Sequence, residues 1–497
     1  MRTVCGIDLG TKSCKLVVYE YEKKRIVGQS SAPVDMIAEN DGTREQKTEW
    51  YDVALKSCFD GIDRTTKRTI AAIGVSGQQH SLAPLDEDGK PVYNVKLWCD
   101  TSTAAECEEL TEIAGGEERL IAEIGLPMRT GYTAPKVQWL KNKKPKAFAR
   151  LRHIVLPHNY INFLLTGVFS AEYGDASGTA LFDVRERKWS SKVCGYISPH
   201  LEKLLPPLIA SGSAAGRVSG KAADLYGIPE GALVASGGGD NMMSAIGTGT
   251  VRDGFLTMSL GTSGTLFGFS KKPVIDPTGN LAAFCSSSGG WLPLLCTMNC
   301  TVASEEIRAL FGIDVNALNE EAAKAPIGAD GVVILPFFNG ERTPNLPNGR
   351  ASFNGITVAN FKLGNLARAA LESAIFGMRI GFERFDALGF EAKEIRLVGG
   401  GSKSPLWQSI AANVMNLPVR VPAGSEAAAM GGAIQALWCL MGQSDDGEKT
   451  TIEALTDEHV ALEGGFTVKP ESEKAELYDK AYAEYSRYLR VLSPLYI

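Results

Sequence analysis

The sequence predicts an α/β protein with two large domains, each a mixed sheet flanked by helices. At 497 residues, the chain is longer than a single hydrophobic core usually supports. Short apolar runs of strand length alternate with longer segments whose apolar residues recur at helical spacing. A strand, a Gly-Thr turn and a second strand also occur twice, around Gly10 and around Gly261. We therefore expect an N-terminal domain over residues 1–248 and a C-terminal domain over residues 249–497.

The first half opens with a predicted β-hairpin. The runs "TVCGIDLGT" and "KLVVYEY" have the composition of strands and are joined at Gly10-Thr11. The segment "WYDVALKSCFDGIDRTT" predicts a helix, and "IAAIGVSG" predicts a strand that ends in a turn. Residues 104–165 are expected to be helical, ending at the glycine of "YINFLLTG". The order hairpin, helix, strand indicates a mixed sheet with helices on its faces.

The second half repeats this pattern. The run "DGFLTMSLGTSGTLFGFS" predicts another hairpin, "EIRLVGGG" a strand ending in glycines, and "SPLWQSIAANVM" a helix. A further helix, "AAAMGGAIQALWCLMG", contains Gly431 and Gly432, which would let either an adenine or a second helix lie close to the backbone. The last helix, over residues 472–492, is amphipathic, and we expect it to pack on the second domain.

Composition and charge exclude several classes of protein. The net charge of −6 lacks the basic footprint of a nucleic-acid binder. No window approaches 18 consecutive apolar residues, and the N-terminus enters a strand without the features of a signal peptide, so we expect no membrane span. The ten cysteines form no C-x-x-C motif and only five histidines are present, which argues against a zinc site and favours reduced thiols in a cytoplasmic protein.

The motif "GIDLGTKS" places Asp8 at the end of a strand and Thr11, Lys12 and Ser13 in or beside the following turn. Backbone amides and hydroxyls in such a turn form a cradle for anions. Asp8 is suited to hold Mg²⁺, usually through water, because this ion keeps much of its hydration shell. A plain hairpin in which Asp8 binds the backbone explains the motif equally well.

The motif "SLGTSGT" repeats this turn with Gly261, Thr262 and Ser263, but without the acid. Each turn alone is weak evidence. Two hydroxyl-rich turns that face each other would hold the β- and γ-phosphates of a nucleotide from both sides. The alternative is two unrelated hairpins.

A glycine triplet, Gly399 to Gly401, runs into Ser402 where a predicted strand meets a predicted helix. A helix N-terminus and bare backbone at such a junction suit the phosphate or ribose of a nucleotide. A tight turn at the start of the helix is the alternative explanation.

A second triplet occurs in "ASGGGDNMMSAIG" and delivers a carboxylate, Asp240, followed by Asn241. Phosphoryl transfer to a hydroxyl requires a group that positions the hydroxyl and accepts its proton, and an aspartate within hydrogen-bond reach can do so. An aspartate directly before a helix is also a common N-cap. The local sequence leaves these two roles for Asp240 open.

Polar clusters follow two other apolar runs. "SGQQHS" supplies Gln79 and His80, and "LWCDTST" supplies Trp98 and Asp100. Such strand ends are where sugar hydroxyls are usually bound. A buried histidine with only a structural role is the alternative for His80.

The polar turn "GERTPN" follows the buried run "VVILPFF". We expect its Glu341 and Arg342 to form an internal ion pair and not to act directly in catalysis.

Taken in this order and spacing, these motifs resemble the FGGY family of carbohydrate kinases over nearly the whole chain. The matching motifs are "GIDLGTKS", "SGQQHS", "LWCDTST", "YTAPKVQWL", "LPHNYINFLLTG", "YGDASGTALFDV", "GGGDN", "SLGTSGT", "LPFFNGERTPN" and "GGGSKSPLWQ". The resemblance implies two actin-like ATPase (ribonuclease H-like) domains that close on a ligand cleft. It also implies ATP and Mg²⁺ as cofactors, a small sugar substrate, and a homodimer as a common assembly.

The resemblance also implies a role for each matching residue. Asp240 corresponds to the catalytic base, Asn241, Gln79, His80 and Asp100 to sugar contacts, and Asp8 to the metal-associated acid. The phosphate and nucleotide loops correspond to Thr11, Ser13, Gly261, Thr262, Ser263, Gly400 and Gly401. Lys12, Trp98 and Ser402 lie within the same motifs, and we assign them to phosphate, sugar and nucleotide binding respectively.

The sequence departs from the family pattern on the sugar side. Gln79 stands where the xylulose-specific members have Met, Cys99 where they have Asn, and Thr101-Ser102 where they have Gly-Arg. The glycerol-specific "NQRE" motif is absent after the strand at 70–76. These departures leave the phosphate side intact and leave the identity of the sugar open.

The expected function is therefore ATP-dependent phosphorylation of a ketopentose, D-xylulose at its C5 hydroxyl, with Asp240 as the base. L-xylulose, ribulose and a tetritol are the alternative substrates. An actin- or Hsp70-like ATPase without a sugar substrate is the alternative from another class. The absence of a further peptide-binding domain and the polar residues around Asp240 argue against it.

Overall fold

The computed structural model describes residues 2–424, 426–443, 450–465 and 467–496. The chain forms two compact units that alternate along the sequence. The first unit comprises Met1–Arg252, Phe269–Pro293 and Glu426–Val460, and the second comprises Asp253–Gly268, Leu294–Ser425 and Ala461–Ile497. The chain first leaves the first unit after Arg252, close to the division expected at residues 248 and 249, and two later segments return to it.

The strands and helices of residues 2–252 lie in the first unit. The strands are β1 Thr3–Leu9, β2 Ser13–Glu20, β3 Arg25–Pro33, β4 Ile37–Ala38, β5 Arg44–Gln46, β6 Ile70–Gly77, β7 Ala83–Leu85, β8 Val95–Lys96, β9 His153–Val155, β10 Ala171–Glu172, β11 Phe182–Asp183, β12 Lys188–Trp189, β13 Leu208–Ile209, β14 Ala214–Arg217, β15 Leu233–Ala235 and β16 Gly238–Gly239. The helices are α1 Thr48–Asp60, α2 Arg64–Lys67, α3 Ala104–Ala114, α4 Glu117–Ile124, α5 Thr133–Lys143, α6 Pro145–Arg150, α7 Pro157–Thr166, α8 Tyr173–Ser177, α9 Ser191–Ile197, α10 Gly220–Tyr226 and α11 Asp240–Thr248.

The rest of the chain contributes to both units. Its strands are β17 Phe255–Leu260, β18 Gly264–Gly268, β19 Ala282–Cys285, β20 Trp291–Thr297, β21 Val333–Leu335, β22 Ser352–Asn354, β23 Glu394–Val398 and β24 Val419–Arg420. Its helices are α12 Val302–Phe311, α13 Val315–Lys324, α14 Leu363–Ala387, α15 Pro405–Met415, α16 Ala427–Met441, α17 Ile452–His459 and α18 Ser472–Leu492.

The first unit is built on a mixed sheet with the strand order β14-β15-β6-β1-β2-β3, and β16 also pairs with β6. β1 and β2 form the predicted antiparallel hairpin, while β1, β15 and β16 run parallel to β6. Successive side chains of a strand point to opposite faces. Cys5, Ile7 and Leu9 accordingly pack with α1, α7 and α10 on one face, and Val4 packs with α11, α16 and α17 on the other. The prediction of a mixed sheet with helices on its faces is therefore confirmed.

Glycines allow α16 to lie directly on this sheet and on α11. A β-carbon added to Gly432 would stand 2.7 Å from the carbonyl oxygen of Gly74, closer than real β-carbons approach a backbone atom. One added to Gly431 would overlap the carbonyl oxygen of Met243 in α11. Of the two explanations that the sequence left open for Gly431 and Gly432, the structure shows close helix packing.

The second unit contains its own mixed sheet. β17 pairs antiparallel with β18 and parallel with β23, β23 pairs parallel with β24, and β18 pairs with the C-terminal part of β20. The predicted second hairpin is therefore confirmed. Helix α18 packs within this unit, as predicted, since its buried Tyr478, Tyr482 and Tyr485 surround the ring of Phe376 in α14 at centroid distances of 6.5, 5.7 and 5.5 Å.

One predicted segment differs from the structure. Residues 104–165 contain five helices, α3 to α7, but the expectation of helix misses strand β9 at His153–Val155. This strand pairs antiparallel with β7, nearly 70 residues earlier, from His153 opposite Leu85 to Val155 opposite Ala83. A run of three residues is too short to show the alternating pattern of a strand in the sequence. Only pairing with the distant β7 defines these residues as a strand.

Candidate active site

The first hairpin presents Asp8 near the end of β1. Its Oδ1 accepts a hydrogen bond of 2.8 Å from the Ser76 hydroxyl on the neighbouring β6. Burial, with a smaller contribution from the charge of Glu426, raises the pKa of Asp8 to about 6 against the lowering effects of the Ser76 hydrogen bond and the Lys15 cation. Lys15 is shared with Glu426, 2.7 Å away. Asp8 is thus a half-buried carboxylate whose charge is only partly compensated by protein groups.

The turn after β1 is closed by a 2.9 Å hydrogen bond from the Gly10 amide to the Ser13 carbonyl. The Thr11 hydroxyl donates to Gln78 Oε1 at 3.1 Å and accepts from Trp98 Nε1 at 3.0 Å. Thr11 and Trp98, which the sequence assigned to different ligands, therefore contact each other. Lys12 is exposed at the tip of the turn, and Ser13 is half-buried at the start of β2.

The last two glycines of the triplet before Asp240 form the short strand β16 beside the end of β6. Gly237 has a positive φ of 75°, which favours glycine. A β-carbon on Gly239 would stand 2.6 Å from Cγ of Gln79, so this position also requires glycine. The bare backbone thus lets β16 approach the end of β6 and begin α11 there.

Asp240 is the first residue inside α11, and the N-cap position belongs to Gly239. Asp240 is therefore not the N-cap that the sequence allowed as its alternative role. Its Oδ1 accepts 2.8 Å and 3.2 Å hydrogen bonds from the backbone and side-chain amides of Asn241. Burial, together with the charges of Asp8 and Asp175, raises the pKa of Asp240 to about 7. The carboxylate is therefore a stronger base than an ordinary aspartate.

Gln79 and His80 lie beside Asp240. Gln79 Oε1 accepts a 2.5 Å hydrogen bond from Asn241 Nδ2. His80 adopts a positive φ of 57°, and its ring faces Gly178 so closely that a β-carbon on Gly178 would overlap the imidazole. The structure therefore brings Gln79, His80, Asp240 and Asn241 together, as the sequence predicted.

Asp175 of α8 is a residue of this site that the sequence interpretation missed. It is fully buried, and its two carboxylate oxygens lie 3.0 Å from His80 Nδ1 and 3.2 Å from His158 Nδ1. Burial alone would raise the pKa of Asp175, but the contacts with both histidines outweigh it and hold the pKa at about 2. Asp175 lies in the motif "YGDASG", where an aspartate at a strand–helix junction was the only available indication.

Asp100 lies in a buried ion cluster. Its carboxylate accepts hydrogen bonds from the Arg44 backbone amide at 2.8 Å, from Lys96 Nζ at 3.0 Å and from the Ser102 hydroxyl at 2.7 Å. Lys96 also pairs with Glu45 at 3.1 Å. The carboxylate is completely shielded from solvent in this conformation. Its assignment as a sugar contact stays a prediction.

In the second unit, the turn from Gly261 to Ser263 leaves the side chains of Thr262 and Ser263 exposed. The carbonyls of Gly261 and Thr262 accept hydrogen bonds of 3.1 Å and 2.9 Å from the backbone amides of Thr301 and Cys300. This turn is therefore held by the segment that precedes α12.

Glu341 fixes that segment. Its Oε1 accepts hydrogen bonds from the backbone amides of Met298 at 2.6 Å and Arg342 at 2.8 Å, and its Oε2 from Asn299 Nδ2 at 3.2 Å. Glu341 is 4% exposed, and burial raises its pKa despite these hydrogen bonds. The sequence predicted an ion pair between Glu341 and Arg342; the structure shows a hydrogen bond from the Arg342 backbone amide, and the ion pair stays a prediction. The sequence gave no indication that Glu341 connects to the turn at Gly261.

The other glycine triplet packs against the same turn. A β-carbon on Gly399, which has a φ of +87°, would stand 2.6 Å from the carbonyl oxygen of Leu260, the last residue of β17. Gly400 to Lys403 form a 3₁₀ turn before α15, and the Ser402 hydroxyl donates a 2.8 Å hydrogen bond to the Gly399 carbonyl. The structure thus brings Gly400, Gly401 and Ser402 beside the turn from Gly261 to Ser263.

Among the described residues, no helix is long and apolar enough to cross a membrane. The same residues contain no group of three or more histidine, cysteine, aspartate or glutamate side chains placed to hold a metal ion among themselves.

Each unit carries a hydroxyl-rich hairpin beside a glycine turn, and the first unit also carries Asp240, an aspartate with a raised pKa. Residues 3–247 match the N-terminal domain of the FGGY family of carbohydrate kinases, and residues 256–440 match its C-terminal domain. The chain belongs to this family and is a carbohydrate kinase with two actin-like ATPase domains.

Individual relatives cover almost the whole chain. It is 43% identical to a xylulose kinase of Haemophilus influenzae, with 99% of each protein covered, and 33% identical to a xylulose kinase of Streptomyces rubiginosus, with 88% of each covered. The fold is similar to that of a crystal structure described as a "xyloylose kinase" from Brucella ovis. The TM-score is 0.91 at 28% identity, with 99% of this chain and 100% of that chain covered.

Proposed function

We propose that this chain catalyses ATP-dependent phosphorylation of D-xylulose to D-xylulose 5-phosphate, with Asp240 as the general base. The observation that carries the proposal is the environment of Asp240. Its carboxylate begins α11 at the end of a glycine strand, beside Gln79, His80 and Asn241, with its pKa raised to about 7. The choice of xylulose is supported by the names of the full-length relatives at 43% and 33% identity.

The proposed chemistry begins at the sugar. Asn241 orients the sugar by a hydrogen bond, Gln79 and His80 line the same site, and Trp98 and Asp100 complete the site through the loop that follows β8. Asp240 Oδ1 is occupied by the two amides of Asn241. Asp240 Oδ2 then takes the proton of the C5 hydroxyl as the hydroxyl oxygen bonds to the γ-phosphorus, the bond from that phosphorus to the β–γ bridging oxygen breaks, and ADP leaves. A base whose pKa lies near the working pH is deprotonated in a large fraction of the molecules and is still basic enough to accept the proton.

The phosphates are proposed to bind at the two turns. In the first unit, Thr11, Lys12 and Ser13 contribute an exposed cation, hydroxyls and turn amides. In the second unit, Gly261, Thr262 and Ser263 contribute a matching turn, and Gly400, Gly401 and Ser402 bind the nucleotide. Fixed donors of this kind stabilise the charge on the transferred phosphoryl group without reorganising during the reaction.

Asp8 is the residue proposed to hold Mg²⁺. The ion usually binds through one or two carboxylates, substrate phosphates and water, so it does not require a cluster of protein ligands. Asp8 fits because it is half-buried with its pKa raised to about 6, which a nearby cation would reverse. When bound, Mg²⁺ would offset negative charge on the β- and γ-phosphates.

A coupled assay of ADP release over a panel of sugars tests this function. D-xylulose is expected to rank first. Asp240→Asn is expected to lower kcat by about 10²- to 10⁴-fold, the usual contribution of a general base, while sugar binding changes little. Asp88→Asn, at an exposed carboxylate, serves as the matched control. A variant at position 240 that retains most of its kcat would contradict the role of Asp240.

Another sugar is the second candidate, because the chain departs from the family pattern at Gln79, Cys99, Thr101 and Ser102. L-xylulose, ribulose and a tetritol therefore belong in the panel. If one of them gave a kcat/KM far above that of D-xylulose, the substrate assignment would change and the kinase assignment would stand. ADP release that is independent of any sugar would instead favour an ATPase.

The proposal also includes location and assembly. We place the enzyme in the cytoplasm because all ten cysteines are free thiols, as expected in a reducing compartment. The family resemblance favours a homodimer, which light scattering of the full chain would check.

A further inference from the structure

Gln79 lies in the middle of a continuous series of contacts between two carboxylates of the candidate active site. The series runs from Asp240 through Asn241, Gln79 and His80 to Asp175. Gln79 Oε1 lies 2.5 Å from Asn241 Nδ2, and its Nε2 lies 3.3 Å from His80 Nε2 and 3.0 Å from Met242 Sδ. Gln79 is only 6% exposed. Since the family pattern has Met at this position, the series of contacts distinguishes this chain from that pattern.

The end of the series at Asp240 fixes the orientation of the Asn241 carboxamide. An ionised carboxylate can only accept hydrogen bonds. Asn241 must therefore turn its NH₂ group towards Asp240 Oδ1, 3.2 Å away, and the same group donates to Gln79. Both N–H bonds of the amide are then used. Within the described part of the chain, Asn241 Oδ1 accepts no hydrogen bond.

The contact with Met242 fixes the orientation of Gln79. The sulfur of Met242 lies 3.0 Å from Gln79 Nε2 and can only accept a hydrogen bond, so Gln79 directs its NH₂ group to it. His80 Nε2 lies 3.3 Å from the same nitrogen. The carboxamide oxygen of Gln79 must consequently face Asn241.

The carboxamide of Gln79 meets the requirements of both neighbours. Its oxygen accepts from the NH₂ group of Asn241, and its NH₂ group donates to the sulfur of Met242. We propose that Gln79 is a positioning residue that fixes the Asn241 carboxamide with its oxygen available to the substrate, so that this site accepts a hydrogen bond from a sugar hydroxyl. The inference rests on the proposed sugar-kinase function and specifies the substrate chemistry of that site. A ligand group facing Asn241 must be a donor, such as a hydroxyl, and not a carbonyl.

The variant Gln79→Met tests this role, because it installs the residue of the family pattern and removes both polar ends. Sugar affinity is expected to fall by about 5- to 10-fold, as for loss of one oriented hydrogen bond. KM for ATP is expected to stay within about twofold. Gln138→Met is the control, since Gln138 is also buried and hydrogen-bonded, in this case to Glu109 on α3. It should leave both KM values unchanged.

The effect of Gln79→Met in a protein that already carries Asn241→Ala shows whether Gln79 acts through Asn241. Sugar Kd is measured by calorimetry for Gln79→Met, Asn241→Ala and the double variant. Coupled residues give non-additive effects. Gln79→Met should therefore weaken binding in the wild-type background and cause no further loss in Asn241→Ala. An equal loss in both backgrounds would overturn the proposal, as would unchanged affinity in the single variant.

Failure of the proposed function gives a different result. The wild-type chain is first assayed over the sugar panel, and the cycle is carried out with the sugar that ranks first. If that sugar is not D-xylulose, the substrate assignment fails while the coupling between Gln79 and Asn241 is still measured. Thermal midpoints of all four proteins identify any loss of affinity that follows from unfolding.

Discussion

Gly431 of α16 lies against the main chain of Met243 in α11, with no room for a β-carbon between the two helices. Reciprocally, a β-carbon on Gly247 of α11 would overlap the carbonyl oxygen of Ala427 in α16. Helix α11 begins with Asp240, so this backbone contact also holds the helix that carries the proposed base. The position of Asp240 therefore depends on Gly431, a glycine far from it in the sequence.

Substitution at this contact is expected to destabilise the fold. Gly431→Ala places a methyl group against a carbonyl oxygen that belongs to a helix and cannot move alone, so we expect a loss of about 3 kcal/mol in the free energy of unfolding. Urea denaturation measures it. The control is Gly195→Ala in α9, where an added β-carbon meets no atom within 4 Å. It should be neutral or stabilise the fold by up to about 1 kcal/mol, because alanine favours helix. Equal midpoints for the two variants would contradict the packing explanation.

The activity is expected to depend on pH through Asp240. Burial and the charges of Asp8 and Asp175 raise the pKa of this carboxyl to about 7. A protonated carboxyl cannot accept the hydroxyl proton, so kcat/KM should rise with pH up to about 7 and level off above it. The pH profile of kcat/KM reports the free enzyme and is the measurement required. A profile that is flat from pH 5 to 8 would show that Asp240 either is not the base or is not perturbed.

A related measurement identifies the cause of that shift. Asp175→Asn removes one of the charges that oppose ionisation of Asp240. The rising part of the pH profile of kcat/KM, its acid limb, should therefore move to lower pH. The exposed Asp88→Asn leaves the limb unchanged in the same assay. A limb that stays in place in Asp175→Asn would assign the raised pKa to burial and Asp8 alone.

Glu341 is expected to act on nucleotide binding through the turn at Gly261. Glu341→Ala removes two hydrogen bonds that hold the segment contacting this turn, so KM for ATP should rise by about 10-fold. KM for the sugar should change by less than about twofold. Initial rates with each substrate varied in turn give both values.

Glu341→Gln provides the matched comparison. Its single carboxamide oxygen can still accept from the amides of Met298 and Arg342, which both bind Oε1 in the native protein. It should therefore retain most of the ATP affinity. If Glu341→Gln were as impaired as Glu341→Ala, the charge of Glu341 and not its hydrogen bonds would be responsible.

The sequence by itself determined the parts that rest on local pattern. Both hairpins, the strand at 70–77 and the helices after Ser404 and Ser472 follow from apolar periodicity and turn residues. The order of weak motifs was sufficient to indicate the family. Gln79, His80, Asp240 and Asn241 were identified because polar residues that follow a strand lie at the edge of the sheet, where strands β6 and β16 end together.

Only the tertiary structure decided how these residues behave. Asp240 was equally a helix cap or a base in the local sequence, and its raised pKa depends on burial and on the charges of Asp8 and Asp175, which come from distant segments. Gly431 was equally a ligand contact or a packing position until Met243 was found against it. Burial, charge interaction and close packing depend on distances in space, and local sequence patterns carry no information about which distant segments come together.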